Sequence, residues 1–453
     1  IEAAGGSDEE EYKSRQSVSR SSIPLNPFTF VRKYDELWTR MLFLFGALIV
    51  YRLGSHIPVP GMNPVSLANF FQSNSNTFLG MFNVFSGGSL ERMSIMALGI
   101  MPYISASIVV QMMSAIIPSL EALKKEGESG RRTLNKYTRQ GTLALAFVQA
   151  VGMSTGLIAG GLTLTTGLSF YIPAVTSLVA GSMFLMWLGE QITERGVGNG
   201  ISMLILASII ASAPGMISQA FSQNLNLIVM LLFVVLGITV IAAIVFIERA
   251  QRRVPVNYAQ KQQLGRKIYA QQQSHLPLKI NMAGVIPAIF ASSLLLLPAS
   301  LGQWTTVSEN PTLTQEIIQN ITLVLQPGQP LYLLLFGVMI IFFCYFYTAL
   351  MFNPKEVAEK LKRSGAYIPG IRPGQQTKRY LDFVLNHLTF IGAMYMTIIC
   401  LMPMIIQSVF NVPIPLGGAS LLIMVVVLMD FIAQLQAHLM THQYHDQTII
   451  KSS

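Results

Sequence analysis

Apolar residues in this chain fall in long blocks rather than in the short alternations of a soluble domain. A hydrocarbon core about 30 Å thick needs ~20 mostly apolar helical residues to cross it. Ten stretches meet that length, at roughly 38–57, 93–117, 141–162, 171–190, 200–218, 227–248, 281–300, 330–352, 384–408 and 416–437. Several contain Gly or Pro and several are only modestly apolar, which suits helices packed on protein or water more than on lipid. In the second stretch, LGIMPYISASIVVQ at 98–111 sets Ile100, Ile104 and Ile108 four residues apart, so one residue type occupies one helical face. Lipid gives no reason for such a row, which leaves a neighbouring helix or a hole.

Composition agrees with a membrane protein: 52% of the 453 residues are hydrophobic and only 11% charged, against about a quarter charged in soluble domains. Thirty Lys and Arg against 21 Asp and Glu leave a net charge of +9. Their placement orients the chain. The N-terminal tail with Arg40 holds six cations, 118–140 six, 191–199 one, 249–280 seven, 353–380 seven and the C-terminal tail one, which is 28 of the 30. The alternate connections 58–92, 163–170, 219–226, 301–329 and 409–415 carry only Arg92. By the positive-inside rule both termini and the long basic loops are expected in the cytoplasm.

Four regions stand apart from the spans. Residues 1–37 begin IEAAGGSDEEEYKSRQSVSRSS, too polar to bury a core, and are expected to form a flexible cytoplasmic tail. The basic loops 249–280 and 353–380, with Gly and Pro setting turns around Arg266 and Arg372, read as cytoplasmic protrusions that would dock an RNA-rich or acidic partner with salt-dependent affinity. On the opposite side, NTFLGMFNVFSGGSLERM at 76–93 is apolar but too short to span, and Gly87 and Gly88 interrupt it. Two readings remain open there, an interfacial helix or a re-entrant plug hinged at the glycines.

The chemistry that remains points away from catalysis. No G-x-x-x-x-G-K-[ST], H-E-x-x-H or G-x-S-x-G motif occurs, so no enzyme and no cofactor are expected. His438, His442 and His445 have helical spacing suited to a metal, but a solvated tail at 438–453 is the expected reading, with no metal bound. Cys344 and Cys400 sit in apolar runs as small hydrophobes. Within the spans the acids singled out are Asp430 and Glu190, weak grounds for an ion-coupled small-solute transporter, which normally needs paired carboxylates near the midplane. The spans carry instead Ser105, Ser107, Gln111, Gln149, Ser292 and Ser293, which serve either as interhelical hydrogen bonds or as a wettable seam.

Six stretches taken together resemble one family. NMAGVIPAIFASS at 281–293, LGEQITERGVGNGIS at 188–202, KKEGESGRR at 124–132, LGIMPYISAS at 98–107, MFNVFSGGSL at 81–90 and GIRPGQQT at 370–377 are similar, in order, to the SecY family of protein-conducting channels, over about residues 41–440. The resemblance implies an all-α membrane protein of ten transmembrane helices. These would form two pseudo-symmetric inverted halves, 38–218 and 227–437, hinged at 219–226 around an hourglass pore. It implies a pore ring of Ile100, Ile104, Ile201, Ile205, Ile289 and Ile423. The same resemblance makes 77–92 the plug, with Phe78, Leu79, Met81, Phe82, Val84, Phe85, Gly87 and Gly88. It also implies a lateral gate that includes Ser105, Ile108, Gln111, Gln149, Ser292, Ser293 and Leu297.

The chemistry of the ring is consistent with that role: stiff β-branched aliphatics can dewet a narrow passage, yet yield around a polypeptide without gripping any one sequence. Arg266, Lys267 and Arg372 match the family's docking positions for the ribosome and the SecA ATPase. Further implied partners are the SecE and SecG subunits, the nascent polypeptide with its signal sequence, and membrane lipids. The implied location is a bacterial inner membrane, with a plastid membrane as the alternative. The implied function is passage of unfolded polypeptides across the membrane and sideways release of apolar segments. A transporter and a membrane receptor that only docks ribosomes are the rival classes.

Overall fold

The computed structural model describes residues 35–73, 78–222, 227–258, 263–264, 267–268, 273–305, 324–326, 329–410 and 417–452. The tail 1–34 and residues 223–226 of the expected hinge lie outside the described residues. Each of the ten expected stretches carries a helix: α1 (Asp35–Gly54), α4 (Met101–Ile116), α6 (Glu128–Ala159), α7 (Leu168–Arg195), α8 (Gly200–Ser222), α9 (Leu227–Arg249), α10 (Ile286–Thr305), α11 (Pro330–Met351), α13 (Gln375–Phe410) and α14 (Gly418–Ser452). Shorter helices fill the connections: α2 (Pro64–Ser73), α3 (Phe78–Phe85), α5 (Pro118–Lys125) and α12 (Pro354–Arg363). Among the described residues six helices are long and apolar enough to cross a membrane, or seven with α4 and α5 taken as one bent span. The bundle is apolar on both sides, as a lipid-embedded protein must be. Ile104, Ile205, Phe336 and Ile423 are buried inside it, whereas Leu42, Phe147, Phe246, Leu334 and Ile398 are exposed on its flanks.

Helix boundaries depart from the hydropathy blocks where local backbone chemistry overrides them. The second block is apolar from residue 93, yet its helix starts only at Met101, because Met93 and Gly99 take positive φ of 43° and 59° and turn the chain. Ile100 is therefore the N-cap of α4, with Pro102 in the first turn where its missing N–H costs nothing. At the other end Pro118 forces Ile117 into extended backbone (ψ 117°), and α5 leaves α4 at 99°. The basic segment 128–140 is not a loop but the opening stretch of α6, whose 32 residues reach about 48 Å at 1.5 Å per residue. Likewise α14 continues as helix through the expected tail, since no Gly or Pro follows Gly418 up to Ser452.

The two basic loops form one unit, and it contains strands. β1 (Gln251–Tyr258) pairs antiparallel with β4 (Gln273–Lys279) in the register Gln251↔Lys279 to Asn257↔Gln273, and its end pairs with β5 (Ala366–Tyr367) through Asn257↔Tyr367. A second ribbon joins β2 (Gln263–Leu264) to β3 (Lys267–Ile268). Alternation drives the sheet: Val254 and Val256 are buried while the intervening Arg253 and Pro255 are exposed. A small core of Val254, Leu278, Ile368, Leu381, Val384 and Leu388 fastens the sheet to the start of α13. Beside it, α12 is capped by Asn353, whose side chain accepts from the Lys355 amide at 3.2 Å, with Pro354 leading and Lys360, Lys362 and Arg363 in the last turn.

Candidate functional site

All six isoleucines of the expected ring belong to one continuous apolar core, five of them buried and Ile201 partly so. The helices that carry them pack as a chain: α4 (Ile100 and Ile104) on α10 (Ile289), α10 on α14 (Ile423), and α14 on α8 (Ile201 and Ile205). The short helix α3 packs against both α8 and α10. Its Phe82, Val84 and Phe85 are buried in the same core as the isoleucines, while Phe78, Leu79 and Met81 lie on its first turn and a half.

The glycines after α3 end the helix rather than interrupt it. The Gly88 amide donates to the Asn83 carbonyl at 2.9 Å and the Gly87 amide to Val84 at 3.2 Å, with Gly87 at φ +68°. That pair of bonds is a Schellman C-cap, which needs a left-handed residue. Around this cap converge side chains from two other helices. Arg52 of α1 donates to the Gly87 carbonyl at 2.9 Å, Ser212 of α8 to the Val84 carbonyl at 3.4 Å, and Tyr51 Oη to the Ser86 carbonyl at 3.2 Å. Tyr51 Oη also lies 2.6 Å from Ser208 Oγ, and both residues are buried.

The expected seam lies where α10 packs against α4 and α6. Ser105, Ile108, Gln149, Ser292 and Ser293 are all buried. Ser292 Oγ donates within its own helix to the Ile289 carbonyl at 2.9 Å, and Gln111 Nε2 likewise to Ser107 Oγ at 2.9 Å. Ser293 Oγ reaches across to Met101 Sδ at 3.6 Å. Gln149 Oε1 is buried with no hydrogen-bond partner among the described residues. Leu297 continues α10 beyond this region. Among the described residues, strong bonds across the seam are therefore scarce.

On the sheet side, Arg372 is exposed in the turn 370–374, whose Gly370 and Gly374 have φ of +80° and +106°, and Thr377 Oγ1 donates to its carbonyl at 3.0 Å. Lys267 lies in β3, and Arg266 lies outside the described residues. Glu190, singled out as the end of a span, accepts two hydrogen bonds from Arg139, at 3.0 and 2.7 Å, which join α6 to α7. Asp430 is half-exposed, 3.9 Å from Lys279 Nζ.

Sequence reasoning missed two arrangements. Glu248, the penultimate residue of α9, is buried and accepts from Asn281 Nδ2 at 3.2 Å, and the same nitrogen donates to the Gly284 carbonyl at 3.0 Å. Both residues line a cavity of about 240 Å³ with Lys279, Asp430 and Gln434. The signal was a lone acid closing an apolar run in VFIER. The Tyr51–Ser208 pair left no signal beyond a tyrosine near a span's end.

A core of buried isoleucines in a helical bundle, a short capped helix seated against it and an apolar exterior define a multi-pass membrane protein. The SecY family model matches residues 94–432. A protein translocase subunit SecY from Pseudomonas aeruginosa is 61% identical over 414 residues, 90% of this chain and 92% of that one. The Escherichia coli K12 subunit is 54% identical over 417 residues, 90% and 93% of the two chains. Among solved structures, a protein-conducting channel aligns with a TM-score of 0.60 at 15% identity, covering 88% of this chain and 92% of that one. Sec61 in a canine ribosome–channel complex aligns with a TM-score of 0.58 at 14% identity, covering 88% and 92%. The chain belongs to the SecY family. It is the channel subunit of a protein translocase and not an enzyme.

Proposed function

We propose that unfolded polypeptides pass through a constriction made by Ile100, Ile104, Ile201, Ile205, Ile289 and Ile423, with 77–92 as its plug. Apolar segments leave sideways between α10 and the pair α4 and α6. The observation that carries this reading is that all six isoleucines, five buried and Ile201 partly so, belong to one core against which α3 also packs. In that core the isoleucines offer no hydrogen bond or charge to a passing chain, and dispersion alone holds them together, so they part and close without a preferred sequence. The seam supports the second exit, because Ser292 and Gln111 bond within their own helices and Ser293 crosses it only to a weakly accepting thioether sulfur, which leaves it to part at low cost.

The ten helices are read as two inverted halves, spans 1–5 and 6–10, hinged at 219–226, with both termini and the sheet in the cytoplasm of a bacterial cell and the spans in its inner membrane. The bacterial origin of the close relatives supports that location. The sheet that unites 249–280 with 353–380 is the docking face for the ribosome and the SecA motor, through Arg266, Lys267 and Arg372. Canine Sec61 and yeast Ssh1, which share this fold, are seen with ribosomes. SecE and SecG complete the assembly.

Substituting Ile104 and Ile205 together by Gly tests the constriction. The channel reading expects a steady ion leak in reconstituted bilayers and passage of precursors with defective signals. Unchanged conductance would instead favour a receptor that only docks ribosomes.

A further inference from the structure

The plug is fastened by polar side chains from two separate spans, and the fastening has a second, plug-free hydrogen-bond state. We propose that Tyr51 and Ser208 form a latch on the plug's C-cap and thereby position the plug and set how readily the resting channel opens. The inference rests on reading 77–92 as the plug.

The geometry is specific. Tyr51 and Ser208 stand on α1 and α8, 157 residues apart in the chain, yet their oxygens approach to 2.6 Å in a buried site. The Ser86 carbonyl, at the end of the plug helix, is 3.2 Å from Tyr51 Oη. Gly87 is the closest point of approach: a Cβ there would sit 2.8 Å from Tyr51 Oη and 3.1 Å from Ser208 Cα. Only glycine meets both demands, the positive φ of the cap and the absence of a side chain facing the latch. Arg52 and Ser212 reach the neighbouring carbonyls of Gly87 and Val84, so three carbonyls within about one turn at the plug's end are contacted from outside the plug.

Proton bookkeeping shows why this is a latch rather than a fixed staple. Tyr51 and Ser208 each have one hydroxyl proton. With the plug seated, Tyr51 donates to the Ser86 carbonyl and accepts from Ser208. With the plug gone, Tyr51 donates to Ser208 Oγ, and Ser208 donates to the Leu204 carbonyl, which already lies 2.8 Å away on its own helix. No buried hydroxyl proton is left without an acceptor in either state, so the pair escapes the penalty that an orphaned buried donor would add to opening. Removing the tyrosine hydroxyl deletes the seated bond and leaves Ser208 its own helix carbonyl, which biases the pair toward the open arrangement.

The test measures resting ion conductance of the assembled channel in planar bilayers for Tyr51→Phe, Ser208→Ala, the double variant and Gly87→Ala, with Tyr137→Phe on the exposed part of α6 as control and deletion of 78–85 as reference. Tyr51→Phe is expected to raise resting conductance several-fold, at an unfolding midpoint close to that of the parent. The double variant is expected to add little to it, since the two residues act as one unit. Gly87→Ala, which displaces the latch from the plug's side, is expected to leak as Tyr51→Phe does and keeps the question answerable should that variant assemble poorly. If the deletion leaks while Tyr51→Phe and Gly87→Ala both remain as tight as the parent, the latch is refuted and the plug stands. If the deletion itself does not leak, the plug reading fails and the latch falls with it.

Discussion

The hydroxyl of Ser293 on α10 lies 3.6 Å from the thioether sulfur of Met101 at the start of α4, and this contact crosses the seam between the two helices. Sulfur is a weak acceptor, so little is lost when the helices separate. With cysteine at both positions, a short bifunctional thiol cross-linker is expected to block uptake of signal-bearing precursors into proteoliposomes, and cleaving the linker to restore it. Full uptake with the linker intact would show that this seam does not open.

Gln149 presents the opposite case, a polar group that the packed helices do not satisfy. Its Oε1 is buried without a partner among the described residues, a state that costs about 1–3 kcal/mol. Gln149→Leu, nearly equal in size, is expected to stabilise the closed seam by roughly 1 kcal/mol or more on that scale. The insertion threshold should then move toward more apolar signals, as read from a graded series of signal segments. A threshold that moves the other way would remove Gln149 from the gate.

Arg372 is exposed, and among the described residues its guanidinium makes no ion pair. Arg372→Glu is therefore expected to leave the fold intact while abolishing motor-driven export. Detergent-solubilised protein should keep its unfolding midpoint, and motor binding should lose its salt dependence along with its strength. Normal export by the variant would dissociate Arg372 from docking.

The buried Glu248–Asn281 pair ties the end of α9 to the entry of α10, next to the last rung of the sheet at Gln251↔Lys279. Asn281→Leu strands a buried carboxylate, and the loss of a charged hydrogen bond is worth about 1.5–3 kcal/mol. The expected outcome is a lower unfolding midpoint together with faster proteolysis within 249–280. Pairing it with Glu248→Leu should recover most of the loss, because replacing both partners by apolar groups leaves nothing unsatisfied. A double variant as unstable as the single one would mean that packing, not the hydrogen bond, holds this joint.

Much of the architecture was legible before any coordinates, and for a physical reason. Hydrocarbon thickness imposes a length on every span, so blocks of ~20 apolar residues stand out without knowledge of their neighbours, and six or seven helices among the described residues are long and apolar enough to cross. The isoleucine row at 100, 104 and 108 was visible too, but not that Ile100 caps the helix instead of belonging to it, because that follows from the φ of Gly99 and the position of Pro102. The basic loops read as two docking protrusions. That Asn257 pairs with Tyr367, which makes them one sheet, is a long-range hydrogen bond with no local signature.

The sequence by itself determined that this chain crosses a membrane many times, where its charges lie and which family its motifs match, since each of these depends on local composition or contiguous residues. Only the tertiary structure decided which polar groups meet: Tyr51 with Ser208 and the C-cap of α3, Asn281 with Glu248, Ser293 with Met101. In a bundle whose helices are nearly all apolar, hydropathy cannot rank one helix pairing over another. The few hydrogen bonds between elements depend on rotation and depth, which are set by packing the whole bundle at once.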